Sequence, residues 1–292
     1  MSDLRTGAGL PGRPGRTTPD TIRRRMLDTA LDLVRDQGMS VQIFGLHFDD
    51  VIGAAGVPRS SAYRIWSSKD LFFADLLDET AALATRQLSD RDALRLAVEI
   101  VASRPELHGT PDGRLHLIHE VIRVVLEQNY YATIDSFGWQ SFLSLAAVVL
   151  TNKDGQSMRR VETTLREGGE RFVAEMAAFH ESVTSLLGFS LRNDFEGGYR
   201  LYAVLGSSMV EGLAIRHLSN PSVTDNFYHG LSTLSEERAE WAPSAIGFLA
   251  IFNQLLEADD RFDPASIPAR LHELDCYARS DASLPHLAPP QP

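Results

Sequence analysis

The sequence predicts an all-α fold in two parts, a small three-helix unit and a larger helical domain. Three observations lead there. Apolar residues recur at helical spacing from residue 18 to about residue 280, and no stretch alternates convincingly as a strand does. Two short helical patterns meet at Gly56 within residues 48–70, FDDVIGAAGVPRSSAYRIWSSKD. Charge is also divided along the chain. Residues 1–70 hold ten Lys/Arg and eight Asp/Glu, whereas residues 71–292 hold 18 and 31. The net charge of −11 therefore hides a slightly basic start on an acidic body. Such a body repels nucleic acid non-specifically and leaves any contact to the basic end.

Residues 1–17 are rich in Gly, Pro and Arg and read as a flexible basic arm. It is either a solvated tail or a DNA-contacting arm acting through Arg13 and Arg16. The first helix starts at Thr18, where Thr caps, Pro19 fits the first helical position and Asp20 meets the positive end of the dipole. Ile22, Met26, Leu27, Ala30, Leu31 and Val34 form its apolar face, and Gly38 ends it. Arg23, Arg24 and Arg25 cluster near its start. After a connection at 39–47, helix two runs from Phe48 to Ala55 with Val51, Ile52 and Ala55 inward. Gly56 makes the turn, since a residue without Cβ takes positive φ at little cost. Val57 plugs the angle between the helices.

Helix three spans roughly 58–65, opening at Pro58. It is too short to stand alone. Ala62 and Ile65 face inward, which leaves Arg59, Ser60, Ser61, Tyr63 and Arg64 toward solvent. Small Ser residues let a helix enter a major groove closely, Arg pairs with guanine or phosphate, and Tyr reaches phosphate. Trp66 closes the small core. Helix four opens with a capping-box pattern from Ser67 to Asp70, and its free N–H groups with Ser68 and Lys69 form a phosphate clamp. The unit reads as a helix-turn-helix with double-stranded DNA as its partner.

These residues carry a resemblance. Ala55-Gly56-Val57, Tyr63, Trp66 and Ser68-Lys69-Asp70-Leu71, with Ala30-Leu31-Asp32-Leu33 and Gly38 upstream, resemble the DNA-binding domain of the tetracycline-repressor (TetR) family over residues 26–74. The resemblance implies a homodimeric transcriptional regulator with a helical ligand-binding and dimerising domain. Its operator would be pseudo-palindromic and its effector a small molecule of unidentified structure. Three features depart from the pattern: a longer segment between Gly38 and Val51, Ile52 in place of a small residue, and Leu46-His47 where the family has a capping Thr or Ser. His47 is the candidate to replace that phosphate contact.

The expected organisation is an arm at 1–17, a DNA-binding domain at 18–70, a regulatory domain at 71–280 and a tail at 281–292. Helices are expected at 70–88, 90–103, 112–130, 138–151, 156–187, 195–219, 236–258 and 266–279. Ala203, Gly206, Ser207 and Val210 form a small-residue face suited to close helix approach, and 245–256, with Phe248 and Phe252, supplies a partner helix. Two copies of this pair would make a four-helix dimer interface, or one pair would lie in a single core. Tyr130, Trp139, Phe142, Phe172, Met176, Phe179 and His180 are either effector contacts or ordinary core residues. Their composition fits an apolar or aromatic effector.

No enzyme is expected. His116, His119 and Glu120 sit on one predicted helix, but they lack a third ligand and a His-Glu-x-x-His spacing, so no metal is assigned. No phosphate loop, nucleophile elbow or cofactor motif appears. Cys276, the single cysteine, excludes an intramolecular disulfide and is expected to be inert. No apolar run reaches membrane-spanning length and the N-terminus has no apolar signal core, so a cytoplasmic protein is expected. The alternative is a TetR-like helical protein that acts through protein contacts instead of specific DNA binding.

Overall fold

The computed structural model describes residues 18–37, 46–84, 91–151, 156–192, 195–231, 234 and 238–279. The arm with Arg13 and Arg16, the helix-ending Gly38, residues 39–45 of the connection, the end of expected helix four and the tail lie outside these residues. Among them, secondary structure is eleven α-helices, three short 3-10 turns and two two-stranded sheets, so the fold is all-α in class. The chain clusters into two units, Met1–Thr80 and Ala81–Pro292.

The first unit holds α1 (Pro19–Gln37), α2 (Phe48–Ala55), α3 (Arg59–Ile65) and the start of α4 (Lys69–Ala84). The Thr18 side chain accepts from the Thr21 N–H at 3.2 Å and caps α1. Ile22, Met26, Leu27, Ala30, Leu31 and Val34 are all buried, as are Val51, Ile52, Ala55, Val57, Ala62 and Trp66. Gly56 takes φ 60 and ψ 36, the left-handed conformation that the turn requires. Pro58 stands just outside α3 as its N-cap residue. The cap of α4 is one residue later than the Ser67–Asp70 pattern suggests. The helix starts at Lys69, and Ser68 Oγ accepts from the Leu71 N–H at 3.4 Å.

The second unit is built on α6 (Pro111–Asp135). Against it pack α5 (Arg91–Ala102), α9 (Gly198–Ser219) and α10 (Pro243–Leu255). α8 (Gln156–Leu186) packs on α9 and on α7 (Phe137–Thr151), and α11 (Ile267–Ala278) packs on α5. Arg114 of α6 is 4% exposed. It donates to the Leu187 carbonyl at 3.0 Å and the His108 carbonyl at 3.2 Å, and lies over the Phe262 ring at 4.9 Å. Those carbonyls take two of its five N–H donors, and with the ring beneath it they lower the cost of its burial.

Two expectations are corrected here. The helix expected at 236–258 is instead β3 (Arg238–Trp241), α10 and β4 (Leu256–Ala258). Pro243 fits the first helical turn but not a helix interior, so the helix begins there and Trp241 is buried from a strand. The strands pair antiparallel, β2 (Tyr228–Leu231) with β3 and β1 (Phe189–Leu191) with β4. The helix expected from 195 begins at Gly198, because Gly197 and Gly198 both have positive φ.

Candidate functional site

In the first unit, an aromatic cluster fixes α3. Phe48 meets Tyr63 at 5.3 Å, Trp66 at 6.2 Å and Phe72 at 4.8 Å between ring centroids. Trp66 Nε1 donates to Asp75 Oδ2 at 2.8 Å, and Arg23 pairs with the same carboxylate at 3.0 Å. One carboxylate thus ties α1, the end of α3 and α4 together. With its inner side held, α3 turns Arg59, Ser60, Tyr63 and Arg64 outward, and Ser61 is half-buried. Tyr63 is 40% exposed even though its ring touches Phe48.

Arg59 is not wholly free. It donates to Asp49 Oδ2 at 2.9 Å and stacks over Tyr63 at 5.6 Å, so both neighbours orient it. Both partners of that pair are largely exposed, which leaves the guanidinium able to exchange the carboxylate for another anion. Arg64 and Lys69 are exposed and make no ion pair among the described residues. Ser68 is half-buried and engaged in its cap. His47 occupies the N-cap position of α2, exposed, and its side chain makes no capping bond. Of the three arginines near the start of α1, Arg23 is taken by Asp75 and Arg24 by Asp28. Arg25 lies beside Gly56, its Nη2 3.5 Å from where a Cβ would stand.

The second unit holds a partly open cavity of about 250 Å³. Trp139, Phe172, Met176, Phe179 and His180 line it. Tyr130 and Phe142 are not among its walls. Tyr130 is buried beside Tyr131 and His217 instead. Sequence reasoning missed the contribution of Asp92 from α5, of Gln128 and Asn129 from α6, and of Glu211 from α9. His180 is 9% exposed, and burial drops its pKa to about 3, so the ring is neutral. Burial raises the Glu211 carboxyl above its ordinary range.

The residues expected at a dimer interface lie elsewhere. Ala203, Gly206, Val210, Phe248 and Phe252 are buried within one chain, and Ser207 is half-buried. Ala203, Gly206, Ser207, Val210 and Phe248 line the cavity. A Cβ on Gly206 would stand 2.4 Å from Phe248 Cε2, so Gly is required for α10 to approach α9. Close approach was the right reason for a small residue, but the approaching helix belongs to the same chain. Outside this buried stripe, α9 exposes Val204, Leu205, Ile215 and Leu218, and α10 exposes Ile246.

Glu120 is held by Arg123 at 2.6 and 2.9 Å, His116 is exposed, and His119 lies edge-on to Phe252. Burial lowers the His119 pKa. Among the described residues no group of three or more His, Cys, Asp or Glu could hold a metal ion. Cys276 is exposed with His272 Nε2 3.7 Å from its sulfur, a partner the sequence reading overlooked one helical turn away. No described helix is long and apolar enough to cross a membrane.

No family model matches the chain. No curated protein matches it. Among solved structures, the chain is similar to the reduced form of NemR from Escherichia coli, at 16% identity and a TM-score of 0.42, over 80% of this chain and 97% of that one. It is also similar to a Saccharomonospora viridis protein assigned as a transcriptional regulator and solved in complex with choline. There the identity is 15% and the TM-score 0.41, over 82% of this chain and 99% of that one. At those scores any functional reading rests on the chain's own residues.

Proposed function

We propose that this chain is a DNA-binding transcriptional regulator, a homodimeric repressor of the tetracycline-repressor type that a small molecule releases from its operator. The observation that carries the reading is the outward side of α3. Arg59, Ser60, Tyr63 and Arg64 stand exposed together on a seven-residue helix whose Ala62 and adjoining Trp66 are locked in a core. Their types suit a major groove and its flanking phosphates. Lys69, Ser68 and His47 are assigned to phosphates beside it.

So short a reader contacts few bases. Two copies on half-sites about 34–36 Å apart supply the missing specificity. The second copy is assigned to the outward faces of α9 and α10, where Val204, Leu205, Ile215, Leu218 and Ile246 are 41–52% exposed. The effector is assigned to the cavity. α4 runs continuously across the division after Thr80 and is the covalent route between the two units. An effector releases DNA only if it binds the DNA-incompetent arrangement more tightly.

The test is a mobility-shift series on DNA flanking the chain's own coding region, run across salt concentrations. Specific binding with a steep salt slope is expected, lost on joint Arg59→Ala and Arg64→Ala substitution while the dimer stays folded. Binding no better than to random DNA, or none at low salt, overturns this reading in favour of the protein-contact alternative.

A further inference from the structure

The cavity walls carry charge of one sign. Among the described residues lining it none is Lys or Arg, while two are carboxylates, Asp92 and Glu211. Asp92 is largely exposed and already pairs with Arg95 at 3.0 Å. Glu211 is half-buried and has no ion pair or side-chain hydrogen bond among the described residues. Its only neighbour in the walls able to gain positive charge is His180. That ring is nine-tenths buried, neutral, and without a hydrogen bond to its nitrogens among the described residues. The remaining walls mix neutral polar groups, Gln128, Asn129, Thr133, Ser136 and Ser207, with apolar and aromatic ones that include Trp139, Phe172, Phe179 and Phe248.

We propose that the cavity binds a small organic cation, a quaternary ammonium or protonated amine on an apolar body, with its charge at Glu211 and its body against the aromatic walls. A carboxylate that has lost part of its water is costly unless paired, and no group among the described residues pairs it here. Aromatic faces attract cations and tolerate their apolar substituents. An anionic ligand would meet carboxylates with no basic group in the walls. A neutral ligand would bring no charge to compensate it. The acidic body, with 18 Lys/Arg against 31 Asp/Glu in residues 71–292, also draws cations toward it. At about 250 Å³ the space suits a single small ligand.

This inference deepens the effector part of the proposed function, and its test is read without DNA. Calorimetry on the full-length protein compares benzyltrimethylammonium, the neutral near-isostere 2-methyl-1-phenylpropan-2-ol, and 3-phenylpropanoate. The cation should bind roughly tenfold or more tightly than the neutral compound, and the anion most weakly. Glu211→Gln should bring the cation down to the level of the neutral compound and leave the neutral compound unchanged. The ligand series on the unsubstituted protein reads the charge preference even if that variant folds poorly. Equal or tighter binding of the neutral or anionic compound, no binding of the cation at millimolar concentration, or a cation preference that survives Glu211→Gln overturns the proposal. Cation binding without any effect on a DNA shift leaves this inference standing and removes the effector role. A protein that never binds DNA but binds the cation removes the regulator reading alone.

Discussion

Two glycines on α9 provide a matched pair whose substitutions have opposite consequences. Gly206 and Gly212 lie on the same helix, so replacing either by Ala brings the same intrinsic gain, about 1 kcal/mol. A Cβ at Gly212 meets nothing within 4 Å. A Cβ at Gly206 would stand 2.4 Å from Phe248 Cε2 and 3.2 Å from Cδ2. Phe248 is 4% exposed and packed on Tyr202 and His180, so moving its ring gives up those contacts. Overpacking of that kind costs about 1–3 kcal/mol. In a single copy, Gly212→Ala should therefore raise unfolding stability by several tenths to 1 kcal/mol, and Gly206→Ala should fall below it by about 1–3 kcal/mol, the helix gain cancelling between them. Urea denaturation at one fixed protein concentration measures the difference, since the stability of a dimer depends on concentration. Sedimentation on the same samples reads the oligomeric state. Equal stabilities would refute the collision with Phe248. A Gly206→Ala protein that dissociates without losing stability would return the small-residue face to an interface between copies.

Three further outcomes follow from the geometry. Trp66→Phe removes the 2.8 Å bond to Asp75 but leaves Asp75 paired with Arg23, so thermal melting should report a loss of about 1 kcal/mol and not collapse of the unit. His180 is neutral in the fold, with its pKa lowered to about 3 by burial, whereas the unfolded chain takes up that proton near pH 6.5. Its contribution is therefore complete above pH 6.5 and is lost as pH falls toward 3. Urea midpoints from pH 7.5 down to 4.5 should decline less steeply in His180→Phe, the difference approaching about 1.4 kcal/mol per pH unit; parallel declines would show that another group carries the acid sensitivity. Lys69→Ala should weaken binding to all DNA sequences alike and reduce the salt slope by about 1, read from anisotropy titrations, whereas a change in sequence preference would place Lys69 on a base.

The first unit was largely legible because its constraints are local. Helical spacing located the buried side of α1, and Gly56 and Pro58 bracketed α3. What escaped were links between distant residues. Asp75 bonds to Trp66 nine residues away and to Arg23 52 residues away, and no spacing rule reaches that far. Phe48 stood at a helix boundary in the sequence, yet it is buried and touches three aromatic rings. The strands were missed because each is three or four residues long, too short for alternation to register. In the second unit, the aromatic residues of α7 and α8 pointed to the cavity by type. Glu211 gave no such sign, since a glutamate on a helix is ordinarily solvated, and only the structure places it, half-buried, at the cavity. The two sides of α9 were confused because both are apolar. Small residues lie inward and Val204, Leu205, Ile215 and Leu218 outward, so periodicity alone cannot tell core from surface.

That double-sided character gives α9 its importance. α9 gives the cavity Ala203, Gly206, Ser207 and Val210, with Glu211 at the edge it shares with Val204 and Leu218 one heptad either way, and its exposed residues form the surface assigned to the second copy. Both sides belong to one continuous helix, so a displacement of α9 at the cavity is carried to its other side. A ligand that moves the inner side must therefore move the outer side as well. The extent to which this would shift the proposed dimer is limited by how differently the two arrangements hold the ligand, whatever its total affinity. An apolar body contacts the same aromatic walls at similar strength in either arrangement. A charge at Glu211 does not, because the strength of an ion pair depends steeply on distance and on solvent access. The carboxylate without a basic partner is thus the group best placed to turn occupancy of the cavity into a preference between two states of α9.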